Sequence, residues 1–198
     1  MLPPYKTPHN LNINMPNIKP NRRNSLRLSG YDYSQPGAYF VTMVTRQREN
    51  LFGDVLNGTM QLNEYGIIAK ERWLAIPRHF SNVELGAFVI MPNHGHGIII
   101  IMDRVVVGAQ HAAPQRPAPL RPQQPNVKSG SLSAIVRSYK SAVTKYIHEI
   151  DEFSPEKIWQ RGFHDRIIRD EDEWSRIHLY IEANPTNWTE DRDNPVNL

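Results

Sequence analysis

The chain has 198 residues, enough for one domain of ordinary size with its own core. It has no cysteine, which excludes disulfides, thiolate metal sites and cysteine nucleophiles, and no run near the roughly 18 to 20 apolar residues that a membrane span needs. The net charge of +3 is small, but basic residues gather in two blocks free of carboxylates, a distribution that points to a polyanionic partner. One block is Lys6, Lys19, Arg22, Arg23 and Arg27; the other is Arg104, Arg116, Arg121, Lys128, Arg137, Lys140 and Lys145. With no signal-peptide core at the start, a cytoplasmic protein is expected.

Residues 1–30 are rich in Pro, Asn and Arg without periodicity and read as a flexible basic arm. A β-branched and aromatic strand follows over Ala38 to Thr45, and Asn57-Gly58 marks a hairpin within Leu51 to Leu62. Asn63 caps a helix whose apolar face includes Ile67, Ile68, Trp73, Leu74 and Ile76, with Pro77 as its stop. Val83 to Met91 is a second long strand, turned by Pro92-Asn93 into a third that opens His94-Gly95-His96 and continues in four isoleucines. A Pro-rich insertion spans about 104–130, without pattern.

Ser131 caps a helix with Leu132, Val136, Tyr139, Val143, Ile147 and Ile150 on one stripe and Arg137, Lys140, Ser141, Thr144 and His148 opposite. Ile158 to Arg161 and Phe163 to Arg169 read as a last strand. Asp170 and Glu173 form a capping box for a helix that Pro185 stops after Asn184. Residues 191–198 are read as a tail. The order β-β-β-α-β-β-α-β-α argues an α+β domain over 31–190 with an antiparallel sheet.

Residues two apart on a strand share a face, so His94 and His96 stand roughly 7 Å apart on one side, a geometry that suits a divalent metal. The competing reading is that they finish the Pro-Asn turn. Tyr180 and Asn184 share a face of the last helix, one turn apart. A tyrosine phenol beside a metal can attack a phosphodiester, and Asn184 or Glu182 could complete the coordination. By pattern alone Tyr139 and Tyr146 compete with Tyr180, and Tyr180 also fits a plain core-edge tyrosine. Of His164 and Asp165, adjacent on a strand, only one can face the site.

Met91-Pro92-Asn93-His94-Gly95-His96 followed by aliphatics resembles the His-hydrophobic-His motif of the IS200-like and REP-associated tyrosine transposases, single-tyrosine HUH endonucleases that cut single-stranded DNA. The resemblance spans roughly residues 30 to 190 and includes Gly30-Tyr31-Asp32-Tyr33, Asn50-Leu51-Phe52-Gly53, Tyr139 to Lys145, Ile158-Trp159-Gln160-Arg161 and Tyr180-Ile181-Glu182-Ala183-Asn184-Pro185. It implies a ferredoxin-like antiparallel sheet with flanking helices, Tyr180 as nucleophile, and Mg²⁺ or Mn²⁺ held by His94, His96 and Asn184. It implies a 5′-phosphotyrosine intermediate, single-stranded or hairpin DNA as substrate, and a homodimer in which the tyrosine helix can serve either chain's histidines. On this reading Arg137, Lys140 and Lys145 follow the DNA backbone, and the protein is nucleoid-associated when bound. Gly95 and Asp165-Arg166 depart from the family's usual bulky residue and Glu-His pair, and Gly95 is expected to loosen packing behind the histidines. The alternative is a protein that binds such DNA without cutting it.

Overall fold

The computed structural model describes residues 31–103, 128–191 and 193–197. The basic arm and most of the Pro-rich insertion lie outside the described residues. Four strands, β1 (Gly37–Val44), β4 (Val83–Ile90), β5 (His94–Ile101) and β6 (His164–Ile168), form one antiparallel sheet in the order β4-β5-β1-β6. With helices between β1 and β4 and between β5 and β6, this is the ferredoxin-like arrangement. A separate hairpin, β2 (Gly53–Leu56) and β3 (Thr59–Leu62), turns at Asn57-Gly58, where both residues adopt the positive φ that a tight hairpin needs.

The helices start where the sequence marks them. Asn63 accepts a hydrogen bond from the Gly66 amide to cap α1 (Glu64–Leu74), and Ser131 accepts one from Ala134 to cap α3 (Leu132–Ile150). Pro77 does more than stop a helix: α1 ends at Leu74, and Pro77 sits in the first turn of a short α2 (Ile76–His79), where its missing N–H costs nothing. Asp170 caps α4 (Glu171–Ala183) through the Glu173 amide at 2.7 Å. The reciprocal half of the box is altered, because Glu173 accepts from the Arg169 amide and the Arg166 guanidinium. The last strand is shorter than expected. Ile158 to Gln160 still pair with the end of β1, through Arg46 N–H to Ile158 O and Gln160 N–H to Val44 O, but a turn at Gly162 (φ +80°) interrupts them before β6.

The sheet has two unlike faces. On one, Tyr39, Val41, Met43, Ile99, Ile101 and Ile167 pack under α1 and α3 against Trp73, Tyr139, Val143 and Ile147. On the other, Ala38, Ile98, Ile100 and Ile168 meet Trp174, Ile177 and Ile181 of α4. One helix cannot roof a four-stranded sheet, and the end of this face that carries His94 and His96 is where polar groups gather. Among the described residues no helix is long and apolar enough to cross a membrane.

Candidate active site

His94 and His96 occupy alternate positions of β5, on the α4 face, and their rings lie 4.6 Å apart between centroids. Both are buried. Their tautomers follow from their neighbours. The Asn93 amide nitrogen donates to the carbonyls of Arg48 and Asp193, so its oxygen is the atom that meets His94 Nδ1 at 2.8 Å. An amide oxygen only accepts, so Nδ1 carries the proton, and the lone pair of the neutral ring sits on Nε2. Burial holds His94 in that neutral form: it pushes the imidazole down to about 4, against the opposing pull of Asp191 and Asn184 and helped by Arg48. His96 Nδ1 is engaged by the Thr42 hydroxyl at 2.9 Å, which leaves Nε2 facing the open side.

The last helix brings its residues to the same place. Tyr180 Oη is 3.2 Å from His96 Nε2 of the same chain, with the rings edge-on at 5.2 Å, and Phe40 stacks on His96 at 5.3 Å. The tyrosine is half-exposed, at 47%, so a large substrate can reach its side chain. Asn184 is buried at the end of α4, and its side chain raises the proton affinity of His94, which fixes the two as neighbours. Among the described residues His94 Nε2 and Asn184 Oδ1 are buried without a hydrogen-bond partner.

Two facing lone pairs cannot satisfy each other, and buried polar atoms left this way are costly unless something cationic comes between them. The residues therefore fit a cation, with His94 Nε2, His96 Nε2 and Asn184 Oδ1 as donors. The set has no carboxylate, and no group of three His, Cys, Asp or Glu gathers elsewhere among the described residues. Two imidazoles and one amide suit Mn²⁺ better than the harder Mg²⁺ and leave the negative charge to the substrate.

The other candidates stand apart. Tyr139 is buried under the opposite face, its hydroxyl donating to the Ala69 carbonyl at 3.2 Å. Tyr146 also belongs to α3, with the Arg72 guanidinium 4.3 Å above its ring. His164 is level with Thr42 in the β1–β6 register, as His96 is in β1–β5, so His164 shares the site's face and Asp165 takes the other. Gly95 leaves no hole behind the histidines: a Cβ there would meet Ile90 Cδ1 at 3.3 Å and Met43 Cε at 3.8 Å. The expectation of loosened packing is corrected, because those flexible ends already fill the space.

Arg137, Lys140 and Lys145 lie on α3, across the sheet from the histidines, along a groove of about 860 Å³ between α3 and residues 156–163. Lys140 is not free there. Its ammonium donates to the carbonyls of Gln160 and Gly162 at 2.6 and 2.7 Å, and burial pushes it down to about 8. Lys145 is exposed and lies 3.5 Å from Glu149.

Several contributors carried no sequence signal. Trp188 lies against His94 at 5.9 Å, and Asp193, in the segment read as a tail, is buried and pairs with Arg48. Arg48 and Gln47 both adopt left-handed backbone (φ +58° and +56°), which turns the Arg48 carbonyl to Asn93. Proximity built across 145 residues of chain cannot be seen in local pattern.

No protein-family model matches the chain. A solved REP-associated tyrosine transposase, bound to a REP hairpin, overlays with a TM-score of 0.55 at 18% identity, covering 82% of this chain and 73% of that one. A candidate transposase from Deinococcus radiodurans overlays at a TM-score of 0.43 and 17% identity, over 79% of this chain and 95% of that one, too weakly to argue from. A protein of Haemophilus influenzae, described only as uncharacterized, is 39% identical over 170 residues, which cover 86% of this chain and 92% of that one. This chain thus belongs to the same family as the Haemophilus influenzae protein and has the fold of a REP-associated tyrosine transposase.

Proposed function

We propose that the protein is a metal-dependent single-strand DNA endonuclease and strand transferase of the tyrosine transposase type. One observation carries this reading: the hydroxyl of a half-exposed tyrosine, set against His96, and two buried, unsatisfied lone pairs, on His94 and Asn184, converge on one patch within a single chain. Bound between His94, His96 and Asn184, Mn²⁺ or Mg²⁺ would polarise the scissile phosphoryl group as a Lewis acid.

Tyr180 Oη is the nucleophile. It bonds to phosphorus as the P–O3′ bond breaks; the phenol loses its proton and the departing 3′ oxygen takes one up, so no net proton is consumed. The products are a 5′-phosphotyrosine and a free 3′-OH, and the reverse attack rejoins strands without an external energy source. Asn93 and Thr42 orient the imidazoles through their Nδ1 atoms, and Phe40 fixes the plane of His96, so the donors are set before DNA arrives. Trp188 and the Arg48–Asp193 pair shield His94 from water.

The substrate on this reading is single-stranded DNA beside a hairpin, as the solved relative holds a REP hairpin. The α3 groove, with Arg137 and Lys145 at the surface and Lys140 shaping its floor, would hold the DNA backbone and make binding fall steeply with salt. The protein acts in the cytoplasm, at the nucleoid when bound, as a homodimer. In that dimer Tyr180 serves its own chain's histidines, in keeping with its 3.2 Å contact to His96. The test is a set of labelled hairpin oligonucleotides, taken from whatever palindromic repeats flank the gene, incubated with protein and Mn²⁺ and run on a denaturing gel. A shifted, protease-sensitive band of protein-linked DNA is expected. Binding without any such band would make the protein a non-cleaving hairpin binder, and cleavage without it would make water the nucleophile.

A further inference from the structure

A second cavity, of about 380 Å³, opens on the same face of the sheet beyond the histidines, and the reaction described above does not use it. Phe40, Thr42, Gln160, His164, Asp165 and Arg166 line it, together with the Arg48–Asp193 pair. It adjoins the candidate active site through two shared walls. The Thr42 hydroxyl bonds to His96, and the Phe40 ring stacks on His96 and meets the Tyr180 ring edge-on at 6.1 Å. Gln160 also lines the α3 groove, so the cavity lies between the basic helix and the nucleophile.

The group that defines this cavity is Arg166. Its side chain is 65% exposed, yet it is held: Nε donates to Glu173 Oε1 at 2.5 Å, and that glutamate side chain is only 6% exposed. The other Glu173 oxygen accepts from the Arg169 amide at 2.9 Å, so the carboxylate is locked from two sides. An arginine fixed at Nε by a buried carboxylate keeps its two terminal nitrogens for a ligand, and their planar fork matches a phosphodiester's two oxygens. Among the described residues those nitrogens have no hydrogen-bond partner. Arg48, the other guanidinium here, is spent on Asp193.

Resting on the tyrosine-nuclease reading, we propose that Arg166, positioned by Glu173, binds a backbone phosphodiester of the DNA next to the one that Tyr180 attacks. The register sets the offset. Arg166 is level with Phe40 on β1, and Phe40 with Ile98 on β5, so Arg166 stands two strands away from the column that carries His96. Two strand spacings are roughly 10 Å between backbones, and Glu173, which holds the guanidinium, precedes Tyr180 on α4 by about two helical turns, roughly 10 Å along the axis, so the fork is suited to a neighbouring phosphate. The cavity beside it then takes the nucleotide between them.

The experiment is a neutralisation scan. Hairpin oligonucleotides with a single-stranded flank, the ones the protein binds in the gel assay above, carry one methylphosphonate at a time along that flank. Binding is read by fluorescence anisotropy with a Tyr180→Phe protein, so that no cleavage intervenes, and with the Tyr180→Phe, Arg166→Gln double variant. Neutralising one linkage should weaken binding of the first protein about tenfold, the scale of a charge-assisted contact, and have no further effect on the second. That linkage should lie within two of the cut mapped with the unmutated protein and Mn²⁺. Equal penalties in both proteins at every linkage would overturn the proposal, as would an Arg166-dependent linkage that coincides with the cut. An Arg166-dependent linkage with no covalent adduct at any position would overturn the nuclease reading and leave the phosphate site standing. Arg166→Gln leaves the buried Glu173 carboxylate without its guanidinium and is expected to melt below the parent; circular dichroism at the temperature of the binding assay checks that it is folded, and the linkage-by-linkage comparison needs only a folded protein, not equal stability.

Discussion

The two faces of the four-stranded sheet are built from the same strands and do opposite work. Under α1 and α3 the face is closed by large apolar side chains, with Trp73 and Tyr139 at its centre and no ionisable group among the clustered residues but tyrosine phenols. Under α4 the cover is one helix wide, and the uncovered end holds His94, His96, Tyr180, Asn184 and Arg166. A sealed face earns stability through area, whereas a half-covered one can keep strained, unsatisfied groups available to a ligand. Even the sealed face is not uniform, as the two glycines of β5 that face it show. Gly97 is needed because a Cβ would stand 2.3 Å from Trp73 Cζ2, while a Cβ at Gly95 would meet the movable tip of Ile90 at 3.3 Å and the Val89 carbonyl and Met43 Cε at ordinary contact distance.

That contrast can be broken most sharply on the sealed face. Trp73→Ala should cost about 3–5 kcal/mol in urea unfolding, and Gly97→Ala should be severely destabilising because the indole has nowhere to move. A loss below 1 kcal/mol for both would mean that this face is not the main core.

On the open face the effect depends on pH. Above pH 6.5 His94 is neutral folded and unfolded, so it adds no pH dependence. Between 6.5 and 4 the unfolded chain binds a proton that the buried ring refuses, so stability falls as pH drops, by about 3 kcal/mol, and levels off below. Urea melts across that range in EDTA should show the fall in the parent and a flatter profile in His94→Asn. The two profiles running parallel would remove His94 as the cause.

Smaller effects follow at the α4 cap and in the layer behind the histidines. Asp170→Ala removes the α4 cap and should cost about 1 kcal/mol, lowering the melting temperature without moving Tyr180 off the helix. Gly95→Ala should change stability by less than about 1 kcal/mol. A large loss there would show that the layer behind the histidines is packed as rigidly as the one around Gly97.

Most of the architecture was legible because local chemistry and global fold agree. Asn57-Gly58, the caps at Asn63, Ser131 and Asp170, and the run of isoleucines each act within a few residues, and the structure uses all of them. The alternation that put His94 and His96 on one side is equally local. What pattern could not resolve was choice among equals: three tyrosines on helices, and two neighbours on β6. The structure separates them by which layer each helix joins and by strand register, both long-range. The support around His94 was invisible for the same reason. Asn93 read as a turn residue, yet it fixes a tautomer through carbonyls contributed from residues 48 and 193.

The central claim is that Tyr180 attacks DNA beside the His94–His96–Asn184 donors. The direct measurement is mass spectrometry of proteolysed protein after incubation with the hairpin oligonucleotide and Mn²⁺. The account predicts a nucleotide adduct on the peptide containing Tyr180, lost in Tyr180→Phe and in His96→Ala while DNA binding persists in the first. An adduct at full strength in Tyr180→Phe, or one mapped to Tyr146, would contradict it.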